Sequence, residues 1–132
     1  MINAIGIALS GLNSASLRLN ASASNIANVS TAGSLTDPDN PPYTPLTTQS
    51  KALGETGGVL TEFIPQEPAF TPAYDPDSPF ADENGFIGAP NVDLATEAVN
   101  MKLAEISYKA NLNTIKVVGN LFDELLDTFD DN

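Results

Sequence analysis

Residues 91–129, NVDLATEAVNMKLAEISYKANLNTIKVVGNLFDELLDTF, read as one long helix that is apolar on two sides. Steps of four and three from Leu94 reach Ala98, Met101, Tyr108, Leu112, Ile115, Phe122, Leu126 and Phe129, interrupted only by Glu105 and Gly119. A second count takes in Val99, Leu103, Ile106, Ala110, Asn113, Val117 and Leu121, on roughly the opposite side of the cylinder. One seam needs one partner. A helix apolar on two sides has to be covered on both, and a chain of 132 residues has little else to cover it with, so further chains are expected to supply the cover.

The start of this helix is signposted. Pro90 blocks continuation from upstream, Asn91 and Asp93 offer oxygens to the first-turn N–H groups, and Glu97 adds the negative charge that the helix N-terminus favours. About 39 residues at 1.5 Å each would run on the order of 58 Å. A compact domain of this size has a radius of gyration of roughly 14 Å, so an elongated molecule is expected.

A second heptad segment opens the chain. Ile2, Ile5, Leu9, Leu12, Leu19, Ala23 and Ile26 keep the three-four spacing, with Ser16 the one polar member. Beside it runs a line of small residues, Ala4, Ala8, Gly11, Ala15 and Ser22, along which another helix can approach closely. Gly6 and Gly11 each cost about 1 kcal/mol against alanine in a helix, so order here depends on packing. The run Ala4–Leu9 is far shorter than the roughly 20 residues that span a bilayer, and no basic cluster precedes it. Neither a cleaved signal nor a membrane anchor is expected.

Between the two helices the character changes. All ten prolines fall between Pro38 and Pro90, which excludes long helices there, and residues 31–90 hold nine acidic residues against the single Lys51. Residues 43–52 and 58–64 read as the arms of a hairpin across residues 53–57, and Asn84-Gly85 marks a tight turn. Three segments follow: an N-terminal helix (1–33), a Pro-rich acidic loop and hairpin (34–90), and a long C-terminal helix (91–132). The fold class expected is mainly α, an antiparallel, coiled-coil-like pair of terminal helices with a short extended middle.

Composition bounds the chemistry. A net charge of −12 leaves no basic patch for nucleic acid or an anionic membrane. With no Cys and no His, zinc sites of the usual kinds and imidazole-assisted nucleophiles are absent, and the Ser, Thr and carboxylates present form no pattern that activates a nucleophile. No enzyme, cofactor or small-molecule substrate is expected. Asp75, Asp77, Asp82, Glu83 and Asn84 miss the calcium-loop spacing, since Pro79 and Phe86 stand where ligands belong, and read as a solvated loop. Lys102, Lys109 and Lys116 recur at every seventh residue, while Asp123, Glu124, Asp127, Asp130 and Asp131 crowd a helix C-terminus that their charge disfavours. The lysines are either a solvated face or the intersubunit counterpart of Asp123 and Asp127.

Both ends carry motifs. ASNIANVSTAG (23–33) resembles the N-terminal signature of flagellar rod, hook and hook-associated proteins. PNVDLATE (90–97), followed by Val99-Asn100-Met101 and Ser107-Tyr108-Lys109-Ala110-Asn111, resembles their C-terminal signature. Pro42-Tyr43 and the stretch from Tyr74-Asp75-Pro76 through Asn84-Gly85-Phe86 are similar to the short rod proteins of the basal body, above all to the proximal-rod type; residues 44–73 match least. Thr44 and Ser107 stand where the family usually has basic residues.

The resemblance implies a structural subunit of the proximal rod in the periplasm, exported by the flagellar type III apparatus without a cleaved signal. Its helices would pack with copies of itself and other rod subunits into a torque-transmitting shaft and export channel. The adaptor between rod and membrane ring is a further candidate partner. The residues assigned to assembly are Ile5, Leu9, Leu12, Leu19, Asn25, Ile26 and Asn28 on the first helix, and Leu94, Val99, Met101, Ile106, Tyr108, Leu112, Ile115, Val117, Leu121, Phe122 and Leu126 on the second. Asn25 and Asn28 would bond either at the end of the first helix or across subunits. The rivals are another short rod or hook-junction component, an exported coiled-coil effector or adhesin, and an acidic ion binder.

If the helices order by association, the dilute chain has little helix and gains it with concentration. Far-ultraviolet circular dichroism checks this, and high helicity that ignores dilution contradicts it.

Overall fold

The computed structural model describes residues 2–54 and 57–130. Helix α1 (Ile2–Ala27) is followed by β1 (Leu46–Ala52), β2 (Val59–Pro65), β3 (Phe70–Tyr74), β4 (Phe86–Pro90) and helix α2 (Leu94–Asp130). Glu55 and Thr56 of the expected hairpin turn, and Asp131 and Asn132 of the acidic tail, lie outside the described residues. Among those described, no helix is long and apolar enough to cross a membrane.

Helix α2 begins three residues later than the motif suggests. Asp93 is its N-cap: its carboxylate accepts from the backbone N–H of Ala95 (3.3 Å) and Thr96 (3.2 Å). Those bonds, led by the one from the Thr96 hydroxyl, hold the Asp93 carboxyl below the usual carboxylate range. Asn91 faces the other way: its side chain donates to Pro68 O (3.0 Å) and its carbonyl accepts from Gln66 Nε2 (2.9 Å), pinning the loop that follows β2. At the other end of α1, Asn28 Nδ2 donates to Ser24 O (2.9 Å) and closes the last turn.

The helices lie side by side and antiparallel, Gly11 beside Asn111 and Asn25 beside Glu97. Their contact is built from small residues: Ala8, Ala15, Ala21 and Ser22 are buried on α1, and Ala104 and Val118 on α2. The large heptad residues are therefore not the internal seam; they flank it or face away. The small-residue line of α1 sets this outcome, because a Cβ on Gly11 would come within 2.5–2.7 Å of the Asn111 side chain.

β1 and β2 pair antiparallel from Leu46–Pro65 to Ala52–Val59, as the hairpin reading expects. This hairpin lies on α1 through short polar staples. Thr61, buried, donates to Ser14 Oγ (2.8 Å), and the Val59 N–H donates to Ser10 Oγ (3.1 Å). A second hairpin, β3 with β4, was not expected, since Pro72 and Pro90 argue against a central strand; β3 is an edge strand and Pro90 is the last residue of β4, and both places tolerate proline. Gly33 exchanges two backbone hydrogen bonds with Gly88 (3.0 and 2.8 Å), extending β4 by one bridge. A Cβ on Gly33 would sit 2.3 Å from the backbone of Pro41 and Pro42, so only glycine allows this crossing.

Gly11→Ala gains about 1 kcal/mol of helix propensity but forces Asn111 off its bond to Ser107 O. It should lower the thermal midpoint of the protein alone and raise it in an Asn111→Ala background; equal effects in both backgrounds would show that the helices do not meet here.

Candidate assembly surface

Asn25 is wholly enclosed, at 0% exposure, and its carboxamide is saturated. Nδ2 donates to Leu46 O (2.8 Å) and to Glu97 Oε1 (2.7 Å); Oδ1 accepts from the Leu46 N–H (2.8 Å) and the Tyr43 hydroxyl (3.1 Å). The side chain thus bonds both backbone groups of the first residue of β1, as a neighbouring strand would. Tyr43 is steadied by Ser24 (Oγ to OH 2.9 Å), and Glu97 by Asn100 Nδ2 at 3.5 Å. Three elements meet at this amide: the end of α1, the start of β1 and the first turn of α2. Asn25 thus spends all its hydrogen-bonding positions within its own chain, and the Asn28 amide closes the end of α1.

The remaining assembly candidates fall into two groups. Leu9, Leu19, Leu94, Val99, Ile106, Tyr108, Leu112, Val117, Leu121 and Leu126 are exposed. Ile5, Leu12, Ile26, Met101, Ile115 and Phe122 are half-buried along the margin of the helix–helix contact. On α2 the residues that meet α1 fall at every seventh position, Glu97, Ala104, Asn111 and Val118. At about 100° per residue, Val99 and Ile106 lie about 160° from that line, Leu103 and Val117 about 100°, and Leu121 about 60°. They form an apolar stripe open to solvent, broken at Asn113 between Ile106 and Val117. Beyond Val118 no described residue of α2 is buried, and Leu126 and Phe129 are 61% and 70% exposed.

The charged edge has a partly internal answer. Lys102 bonds Glu105 at 2.9 Å and Lys109 bonds its other oxygen, so Glu105 is held down to about 2, chiefly by the Lys109 hydrogen bond and then that of Lys102. The contribution of these pairs is complete above the ordinary glutamate range and disappears as pH falls toward 2; being exposed, they stabilise α2 only slightly. Lys116 makes no ion pair among the described residues.

The acidic loop is used for its own folding. Asp82 Oδ1 accepts from the N–H of Asn84 (2.8 Å) and Phe86 (2.9 Å), and positive φ at Gly85 completes the turn into β4. Behind it Tyr74 and Phe86 pack edge to face at 5.5 Å, an exposed aromatic pair that the residue pattern did not single out. A cavity of about 270 Å³ opens between α1, β1 and α2, lined by Arg18, Leu46, Thr48, Glu97 and Leu103; the Glu97 carboxylate there is already bonded by Asn25 and Asn100. No group of His, Cys, Asp or Glu that would hold a metal is present among the described residues.

Two terminal helices are thus tied at one end by a buried asparagine, with most of their large apolar residues left exposed. Residues 5–33 match the flagella basal body rod protein family. Relatives extend the match over most of the chain. The flagellar basal-body rod protein FlgC of Salmonella typhimurium is 41% identical over 124 residues, 88% of this chain and 90% of the relative. That of Agrobacterium fabrum is 35% identical over 92% of this chain and 89% of the relative, and that of Aquifex aeolicus 31% identical over 98% and 97%. The chain belongs to the flagellar basal-body rod protein family.

Asn25→Ala removes the partner of two backbone groups, a carboxylate and a phenol at once, and should cost about 3 kcal/mol or more in urea unfolding. Asn25→Asp places a second carboxylate against Glu97 and should be as severe, while Glu97→Gln added to it recovers part of the loss. A cost below about 0.5 kcal/mol for either single change would deny the amide its organising role.

Proposed function

We propose that this chain is a structural subunit of the proximal rod of the flagellar basal body, assembling through its terminal helices with copies of itself and other rod subunits. Its relatives carry that basal-body name over nearly the whole chain. The observation that carries the mechanism is the division of labour on α2. One line of small and polar residues meets α1, and Val99, Leu103, Ile106, Val117 and Leu121, on another side of the helix, are left exposed by their own chain. Burying each such side chain contributes about 1.5–3 kcal/mol, so neighbours that cover the stripe supply stability the isolated chain lacks.

Coiled-coil-like packing belongs to these outer seams, formed between copies, rather than to the α1–α2 contact. A tube of such helices is stiff along its axis, because bending it would uncover buried side chains, and this stiffness is what transmits torque. The assembly residues are the exposed and half-buried set above: Leu9, Leu12 and Leu19 on α1, and Leu94, Val99, Tyr108, Leu112, Ile115 and Leu126 among those on α2. The β1–β2 hairpin sits on the flank of α1, and on this reading it faces another rod layer or the ring adaptor. Export through the flagellar type III apparatus without a cleaved signal fits helices that order on packing. No substrate, cofactor or reaction is assigned.

Basal bodies purified from a strain whose own copy is replaced by this chain should contain it in the rod, seen by side-chain-resolution imaging. Leu103→Asp with Val117→Asp should abolish flagella while leaving the secreted amount unchanged. Secreted chain that never enters basal bodies would point instead to an effector or adhesin.

A further inference from the structure

The turn into β4 holds a chemically weak place in the chain. Of all the asparagines, only Asn84 is followed by glycine. The neighbour matters because asparagine is lost when the next backbone nitrogen attacks its side-chain carboxamide, and a Cβ on that next residue would crowd the approach. Asn84 is exposed, its φ is negative, and its side chain makes no hydrogen bond among the described residues, so nothing in the turn calls for asparagine there. Gly85, by contrast, is fixed. It has a φ of 81°, and a Cβ on it would come within 2.9 Å of the Tyr74 ring.

The attacking nitrogen is held down by the fold. The Gly85 N–H donates to Asp82 O (3.0 Å), and the Gly85 carbonyl accepts from the Asp75 N–H (3.0 Å). On either side, the N–H groups of Asn84 (2.8 Å) and Phe86 (2.9 Å) both donate to Asp82 Oδ1. To react, the Gly85 nitrogen has to give up its proton and swing onto Asn84 Cγ, so these bonds must open first. We infer that Asn84 is a deamidation site gated by folding, with the Asp82 carboxylate as its latch: the open chain reacts, and the closed turn is protected. This goes beyond the rod reading and does not depend on what the chain assembles with.

The reaction is a hydrolysis through a cyclic imide. Base takes the Gly85 amide proton, the nitrogen bonds to Asn84 Cγ, and the bond from Cγ to the side-chain nitrogen breaks, releasing ammonia. Water then adds to either imide carbonyl and opens the ring. The product is aspartate or iso-aspartate at position 84, with one more negative charge on a chain that already carries −12. Iso-aspartate routes the main chain through the side-chain carbon and adds an atom between Asp82 and Phe86. Asp82 Oδ1 then no longer spans both N–H groups, so damage taken while the chain is open keeps the turn from closing.

The test incubates the full chain at mildly alkaline pH, in buffer and in guanidinium chloride. Peptide mapping by mass spectrometry reads the exchange of ammonia for water, and isoaspartyl methyltransferase labels the iso-aspartate product. Conversion should concentrate at position 84 and run at least severalfold faster in denaturant than in buffer. Asp82→Ala should speed it severalfold in buffer and leave the rate in denaturant unchanged, while Asp82→Asn, which keeps the acceptor oxygen, should stay near the wild-type rate. Equal rates in buffer and denaturant, or an Asp82→Ala rate in buffer equal to wild type, overturn the gate. Conversion spread evenly over the asparagines overturns the site itself.

Discussion

The structure depends on one buried amide. Asn25 has no solvent to fall back on, so each of its four hydrogen-bonding positions must be met by protein, and each is. Because two of its partners are the backbone groups of Leu46 and a third is Glu97, satisfying the amide fixes where β1 starts and where the first turn of α2 lies. The Glu97 carboxylate, itself buried, has no cation beside it in these bonds; it is held by the amide donors of Asn25 and Asn100. A buried charge of this kind is tolerated only with its acceptors filled, so the two residues require each other. From this anchor α1 and α2 run antiparallel, and the small residues along α1 decide how close they come.

That closeness reverses the usual distribution of side chains. Among the described residues that are buried and apolar, Ala8, Ala15, Ala21 and Ala104 are alanines; Ile87 and Val118 are larger, as are Pro42, Pro45 and Pro90 in the middle segment. An interior of alanines gives little hydrophobic stabilisation, since a methyl buries a fraction of the area of a leucine. The polar staples from Ser10 and Ser14 to the β1–β2 hairpin add orientation more than energy. The substantial apolar area is outside, on Leu9, Leu103, Ile106 and Leu126 among others. On the rod reading, such a chain completes its hydrophobic burial between molecules.

Much of this was legible in the sequence. The two helices, their antiparallel pairing, the first hairpin and the small-residue line of α1 all followed from spacing and from where glycine and proline stand. The two-sided apolarity of α2 likewise foretold a surface its own chain leaves open. What spacing could not give was which of several parallel lines on α2 would turn inward, because Glu97, Ala104, Asn111 and Val118 look less like a seam than the leucines beside them. A helical pattern ranks faces by hydrophobicity; close approach ranks them by size, and here size decided. The role of Asn25 was hidden for a related reason: a helix-ending asparagine and a buried three-way tie use the same residue, and only Leu46, a long way along the chain, distinguishes them. The β3–β4 hairpin was obscured by Pro72 and Pro90, which open edges accommodate.

The glycines of the helices carry the argument one step further. Gly11 is required by Asn111, whereas a Cβ at Gly6 or Gly119 would meet nothing within 4 Å. Each of these two weakens its helix by about 1 kcal/mol against alanine with no return inside the chain. Both lie where the helices have least help: Gly6 in the second turn of α1, and Gly119 just past Val118, the last buried residue of α2. The end of the pair farthest from the Asn25 tie is thus the least able to hold helical structure alone. Order there has to come from apolar contact with neighbours, so on the rod reading helix formation and incorporation into the tube are one event, and a subunit travelling singly remains easy to unravel.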